Sequence, residues 1–356
     1  MLIFVVLLLV AAGLVILYST SAYNGQVKFH DPFHYLKKQG FATLLGLFGM
    51  ALIARVDYHK WVPLAIPAYV TSIILSVAVI FFGDEYNGSK RWLSLGPISF
   101  QPSEFAKVAV IFFLACLVSR NVQRMKRFRT MILMMIPVLP IVGLVGASNL
   151  STAIIILGIA VVLIFVADPK YVRFILMGSI GVGFMTVFLA MESYRLERLA
   201  IWRHPEQYEK GYQTLQGLYA IGSGGLFGRG LGNSVQKLGF LPEAHNDMIF
   251  SIICEELGLI GAGFIILLFL ILIWRFFVIS TKASDLLGAL IAAGAMAHMM
   301  IQVILNIAVV TNSIPNTGIT LPFISYGGTS VVFLLLEMGL VLSVSNYEGL
   351  RYGGSE

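Results

Sequence analysis

"MIFSIICEELGLIGAGFIILLFLILIW", residues 248–274, is interrupted by only two charges, Glu255 and Glu256, and stops at Arg275. Crossing about 30 Å of hydrocarbon takes roughly 17–25 predominantly apolar helical residues. The stretch therefore reads as a membrane span. Working outward, apolar runs of comparable length fall at 2–20, 39–54, 62–83, 103–119, 131–147, 150–167, 172–191, 285–310 and 319–345. With 248–274 they make ten. The expectation is an all-α polytopic membrane protein forming a single domain over 1–356, with about ten transmembrane helices.

Composition agrees. Of 356 residues, 58% are hydrophobic and 12% charged, with a mean hydropathy of +0.87. A soluble domain carries roughly 25% charge. Cys116 and Cys254 both sit inside apolar runs, which argues against a disulfide framework or a zinc site. The first run lacks a basic leader and is long for a signal peptide, so it reads as a retained span.

Lys and Arg orient the chain. With a cytoplasmic N-terminus, the inside segments carry twelve basic residues, including Arg120, Arg124, Lys126, Arg127 and Arg129, and the short outside loops five. Both termini are expected inside the cell. This asymmetry accounts for the net charge of +6 without a nucleic-acid partner. Residues 192–247 form a long outside loop before the eighth span. Within it, "SYRLERLAIWR" (193–203) and "GYQTLQGLYAIG" (211–222) place Leu196, Leu199 and Ala200, then Tyr212, Leu215 and Tyr219, at helical spacing. They read as short amphipathic helices, lying in the outer interface or packed on the bundle.

Ionisable residues in spans are expensive and draw attention to function. "QPSEFAK" (101–107) opens the fourth span with Pro102 and Glu104 in the first turn. Lys107 sits about 10 Å below the outer surface, where it either pairs with Glu104, snorkels outward or faces an anionic ligand. Glu255 and Glu256 serve either helix–helix pairing or a direct role. His298, Gln302 and Asn306 share one helical face and read as interhelical hydrogen bonding, and Glu337 is a carboxylate whose partner the sequence does not name. "GSGGLFGRGLGNS" (222–234) lacks the spacing of a phosphate loop, which leaves tight turns or backbone donors near a diphosphate.

"LPEAHND" (241–247) leads into the eighth span and gathers Glu243, His245 and Asp247 at its outer mouth. Asp247 either caps that helix or acts as a general base. A carboxylate with Lys107, Arg91 or a divalent metal to offset charge suits transfer from a lipid diphosphate.

Three stretches carry a family resemblance: "NGSKRWLSLGPISFQPSEFAK" (87–107), "GLYAIGSGGLFGRGLGNSVQKLGFLPEAHNDMIFSIICEELGLIG" (217–261) and "NTGITLPFISYGGTS" (316–330). Together they closely resemble the SEDS family, the FtsW/RodA/SpoVE proteins, and their wording is nearest to FtsW and SpoVE. The resemblance implies a peptidoglycan glycosyltransferase in the bacterial cytoplasmic membrane, polymerising lipid II at the outer face. It serves cell division, elongation or sporulation, beside a class B penicillin-binding protein. It implies Asp247 as the essential carboxylate, with Glu104, Lys107 and Arg91 in the substrate cavity and His245 and Glu243 beside it. Mg²⁺ or Mn²⁺ and no organic cofactor is the accompanying expectation. The competing class is a lipid II flippase. Where many members carry an aspartate at the start of the sixth span, this chain reads "ASNLST" (147–152), with Asn149 in its place.

Overall fold

A computed structural model describes residues 1–86, 89–95, 98–126, 128–168, 170–190 and 193–352. Residues 87–88 and 96–97 of the first resemblance stretch, Arg127 and residue 192 lie outside the described residues, as do the side chains of Leu196, Lys126 and Arg351.

Nine of the ten apolar runs fall mainly on helix, and the tenth, 319–345, becomes helical only at Gly328, its first nine residues being irregular. In chain order the helices are α1 (Leu2–Phe29), α2 (His34–Ala54), α3 (Ala65–Phe82), α4 (Pro102–Asn121), α5 (Phe128–Met135), α6 (Val138–Ser148), α7 (Leu150–Ala167) and α8 (Tyr171–Ala190). Then come the loop helices α9 (Ser193–Arg203) and α10 (Tyr212–Gly224), followed by α11 (Ile249–Lys282), α12 (Leu286–Val310) and α13 (Gly328–Tyr352). Among the described residues seven helical segments are long and apolar enough to cross a membrane, and α5 with α6 makes an eighth if that bent pair is one span. The pair bends by 41° at Ile136–Pro137, because proline lacks the N–H that would continue the ladder. Tyr69 of α3 donates its hydroxyl to the Pro137 carbonyl at 2.6 Å.

The expected all-α class needs one correction. Strands β1 (Asp84–Tyr86), β2 (Ser89–Leu95) and β3 (Ile98–Phe100) form an antiparallel meander between α3 and α4. Asp84 stands opposite Trp92, and Leu93 opposite Phe100. The signal was in the sequence: a short run rich in Trp and Leu, bounded by the turn dipeptides Asn87-Gly88 and Gly96-Pro97.

The chain divides into two compact units, Met1–Leu44 with Gly183–Leu272 and Gln302–Val331, and Leu45–Val182 with Ile273–Ile301 and Val332–Glu356. In the first, α11 is broken at Gly258, which takes φ 67° and ψ −170°. A break frees backbone groups, and in hydrocarbon each must find a partner. The glycine-rich stretch supplies them: Arg229 and Gly230 donate to the carbonyls of Glu255 and Glu256 at 2.9 Å, while Leu259 and Ile260 donate to Gly225 and Leu226 at 2.9 and 3.1 Å. The approach is so close that a Cβ on Gly228 would lie 2.2 Å from the Glu256 carbonyl oxygen.

The side chains around the break are bonded as well. Glu256 accepts from Lys237 at 2.6 Å and from Ser19 at 2.7 Å. Glu255 accepts from Ser234 and, at 3.0 Å, from the Val235 amide. The two glutamates therefore chiefly anchor a loop, a role outside the two readings that the sequence left open, with the Ser19 bond as a helix–helix contact.

In the second unit Asp285 holds together the end of the bundle beside α12. Its Oδ1 accepts from the Gly288 amide and the Tyr58 hydroxyl, each at 2.8 Å, and its Oδ2 lies 2.7 Å from His59 Nε2.

Gly228→Ala is expected to destabilise the protein by more than ~1 kcal/mol, because both its positive φ and the Glu256 carbonyl oppose a Cβ. Gly222→Ala, inside α10 with open space around it, is expected to be neutral or mildly stabilising. Thermal unfolding in detergent compares the two.

Candidate active site

The entrance to α11 is built as an irregular turn whose backbone is tied down at several points. Glu243 adopts φ 52°, and its carbonyl accepts from the Asn246 amide at 2.9 Å. The Asn246 side chain donates to the Glu243 carboxylate. A second irregular segment, residues 316–327, closes over this turn. Tyr326 donates its amide to the His245 carbonyl at 2.9 Å, and Ser325 Oγ donates to the Asn246 carbonyl at 2.7 Å. Gln39 of α2 accepts from the Gly327 amide at 3.1 Å and donates to the Ser325 carbonyl at 3.3 Å.

Asp247 is the centre of this arrangement. Asn306 of α12, fully buried, donates through one Nδ2 to the Asp247 carbonyl at 2.9 Å and to the Ile319 carbonyl at 2.7 Å. Gln213 of α10 donates to Asp247 Oδ1 at 3.5 Å, the long limit for such a bond. With only 8% of its surface exposed, Asp247 is a buried carboxylate. The helix itself starts at Ile249, so Asp247 sits on the turn that feeds it.

His245 is equally buried, its ring 4.6 Å from that of Tyr35 and 5.8 Å from that of Tyr326. Its Nδ1 is sealed with no hydrogen-bond partner among the described residues. Burial holds the imidazole below its usual pKa of 6.5, Glu243 works in the opposite direction, and Lys28 adds to the lowering. Glu243 itself is exposed.

Three further candidates lie in the second unit. Glu104 and Lys107, three residues apart on α4, form an ion pair of 2.9 Å with side chains only 7% and 2% exposed. Of the readings open for Lys107, pairing is the observed one. Arg91, on β2, donates from Nε to the Ser148 carbonyl at 3.0 Å, placing a cation at the C-terminus of α6, where the helix dipole favours it. Beside it lies a cavity of about 10 Å³, room for a single water. Asn149 follows directly. Its side chain accepts from the Thr152 amide at 3.2 Å and caps α7, a task an amide oxygen performs as well as a carboxylate.

The structure thus brings Glu243, His245 and Asp247 together in one unit and Arg91, Glu104 and Lys107 in the other. It also names residues to which the sequence assigned no role at this turn: Gln213, Gln39 and Ser325. Glu337 finds its partner in His298, whose Nδ1 is 2.8 Å away with both side chains buried. Gln302 donates to the Thr320 carbonyl at 3.1 Å. With the two bonds of Asn306, this makes the His298–Gln302–Asn306 stripe a set of structural clamps.

Long apolar helices, with a buried carboxylate fixed on the turn that enters one of them, define a multi-pass helical membrane protein with a polar site at a helix mouth. Comparison with known proteins then places it. The family model FTSW_RODA_SPOVE, described as "Cell cycle protein", matches residues 1–349. Stage V sporulation protein E of Bacillus subtilis (strain 168) is 40% identical over 353 residues, 98% of this chain and 96% of that protein. The probable peptidoglycan glycosyltransferase FtsW of Geobacter sp. (strain M18) is 35% identical over 344 residues, 95% of this chain and 94% of that one. Among solved structures, a chain from a peptidoglycan synthase complex gives a TM-score of 0.81 at 30% identity, covering 98% of this chain and 97% of that one. Rod shape determining protein RodA of Thermus thermophilus gives 0.71 at 30% identity, covering 97% and 95%. The chain belongs to the FtsW/RodA/SpoVE family.

Two outcomes are expected of the site's chemistry. Lys107→Ala strands Glu104 in a buried place and is expected to cost about 3–5 kcal/mol. The double replacement Lys107→Met with Glu104→Gln restores most of that loss in a thermal unfolding series. For His245 the folded pKa lies below the unfolded one. Below about pH 6.5 the unfolded chain therefore takes up a proton that the folded chain resists. Stability is lost as pH falls from about 6.5 toward the folded value, and His245→Phe is expected to flatten that slope.

Proposed function

We propose that this protein is a peptidoglycan glycosyltransferase that polymerises lipid II into glycan strands at the outer face of the bacterial cytoplasmic membrane, with Asp247 as general base. The observation that carries the residue assignment is the buried Asp247 carboxylate, fixed on its turn by Asn306 and Gln213. The activity is supported by whole-length similarity to proteins named probable peptidoglycan glycosyltransferase FtsW. A base must be held within reach of the proton it removes, and the Asn306 clamp on the Asp247 carbonyl with the Gln213 bond to its carboxylate does that holding.

In this reading the chain crosses the membrane ten times with both termini cytoplasmic and residues 192–247 outside, in keeping with the excess of Lys and Arg in the inside loops. The Asp247 carboxylate takes the proton of the acceptor sugar's 4-hydroxyl. The freed oxygen forms a bond to the anomeric carbon of the donor, and the bond from that carbon to the diphosphate oxygen breaks with inversion. Undecaprenyl diphosphate leaves with its electron pair. The family resemblance assigns Arg91, Glu104 and Lys107 to the substrate cavity; in this reading the two cations offset the charge of the departing diphosphate, Glu104 being the ion-pair partner of Lys107. His245, kept neutral by burial, and Glu243 line the approach to Asp247.

Mg²⁺ or Mn²⁺ would supply further charge compensation on the diphosphate. Among the described residues no three His, Cys, Asp or Glu side chains converge to cage an ion. Such an ion would be carried mainly by the substrate phosphates, leaving the Asp247 carboxylate to act as base. The partner that completes the machine is a class B penicillin-binding protein, a reading supported by likeness to a chain from a peptidoglycan synthase complex.

Asp247→Asn keeps size and hydrogen bonding but removes the base. Purified protein with its partner and labelled lipid II is expected to lose about 10²-fold or more in polymerisation rate. A wild-type rate from that variant would remove Asp247 from the role. Lipid II scrambling by proteoliposomes, with no polymer formed, would move the protein to the flippase class.

A further inference from the structure

Three strongly exposed apolar side chains outside the spanning helices crown the break in α11. Phe227 is 79% exposed, Leu226 60% and Leu231 51%. Their height in the bilayer follows from two observations. Arg275 marks the inner end of the apolar run, and Gly258 lies seventeen residues before it, about 25 Å along a helix and so still within a hydrocarbon layer of about 30 Å. The backbone bonds from Leu259 to Gly225 and from Ile260 to Leu226 then fix the glycine-rich loop at that level.

What faces the loop follows from the helix to which it is bonded. Below the break, Ile260, Phe264, Leu267, Leu270, Trp274 and Phe277 recur three or four residues apart and are each 47–61% exposed. Such a stripe on a membrane helix is a lipid-facing surface, with Trp274 at the level of the inner interface. Leu226 and Phe227 extend this stripe upward without a polar interruption. On the other side of the loop, Ser234 and Lys237 point inward to the buried Glu255 and Glu256, and Arg229 reaches the Glu255 carboxylate at 3.5 Å. The loop is therefore amphipathic across its thickness, polar toward the protein and apolar away from it.

We propose that residues 225–231 form a re-entrant wedge that places Leu226, Phe227 and Leu231 among the acyl chains of the outer leaflet. Its occupant is bulk phospholipid. The irregular backbone is tolerated at that depth because the broken α11 and the two glutamates satisfy it. Driven between acyl chains, the wedge fixes the height of the turn that carries Asp247 relative to the leaflet. This inference rests on exposure and backbone bonding alone and is independent of the transferase reading.

The experiment uses the full chain in phospholipid vesicles, carrying Phe227→Cys or, separately, Leu226→Cys labelled with an NBD fluorophore. Cys116 and Cys254 are both buried, so labelling falls on the new thiol. At both positions the expected result is blue-shifted emission, quenched several-fold more strongly by lipids bearing nitroxide on the acyl chain than by aqueous iodide. Glu206→Cys, at a side chain 57% exposed in the long loop, is the aqueous reference. Stronger quenching by iodide at 226 and 227 would place the loop in water and overturn the proposal. Protection from both quenchers would overturn it as well, because the wedge would then be covered by protein.

Discussion

Hydrocarbon offers no partner to a backbone N–H or C=O, and this constraint governs the irregular parts of the molecule. The chain departs from regular helix at Gly258 inside α11, at the 241–248 turn and along residues 316–327. At each departure the freed groups are bound by something specific. The glycine-rich loop lies across the break with four backbone bonds. Asn306, Gln39 and Ser325 bind the two irregular segments through side-chain amides and a hydroxyl. Removing any one of these exposes a polar group to an apolar medium, which costs more than the bond itself contributes.

The buried charges obey a related rule. Glu104 with Lys107, Glu256 with Lys237, and Glu337 with His298 are each paired inside the protein. Desolvating two ions can cost more than their attraction returns, so such pairs are weak arguments for stability and better ones for position. Glu256 and Lys237 hold the glycine-rich loop, and Glu104 holds the Lys107 ammonium. Asp247 differs in kind: its carboxylate is buried on a turn and its main-chain carbonyl is clamped by Asn306.

Much of the fold was legible from one dimension. A run such as 248–274 has one physical solution in lipid, so most helix positions followed directly; the run 319–345 is the exception, helical only from Gly328. The β1–β3 meander was missed although its Asn-Gly and Gly-Pro turn signals stood in plain view, because a hydropathy reading looks for length and these strands are short. The ladder of His298, Gln302 and Asn306 was read as interhelical hydrogen bonding, which holds for His298 with Glu337, while Gln302 and Asn306 bond carbonyls of irregular segments. Its partners were not readable, since Glu337, Thr320 and Ile319 are brought to it by chain folding.

The candidate turn at 241–248 divides in the same way. Residue chemistry pointed to Glu243, His245 and Asp247, and local sequence allowed Asp247 to be either a cap or a base. Burial of Asp247 and its clamp by Asn306, 59 residues away, are long-range facts that no local pattern encodes. The glycine-rich stretch shows the same limit: its composition announced tight turns, while the need for glycine at 228 came from a carbonyl 28 residues further on. The sequence by itself determined the solvent, the helices and the chemical groups on hand, because hydropathy and residue type are local properties. Only the tertiary structure decided which polar group meets which, because in a dry interior a partner is set by proximity in space and not along the chain.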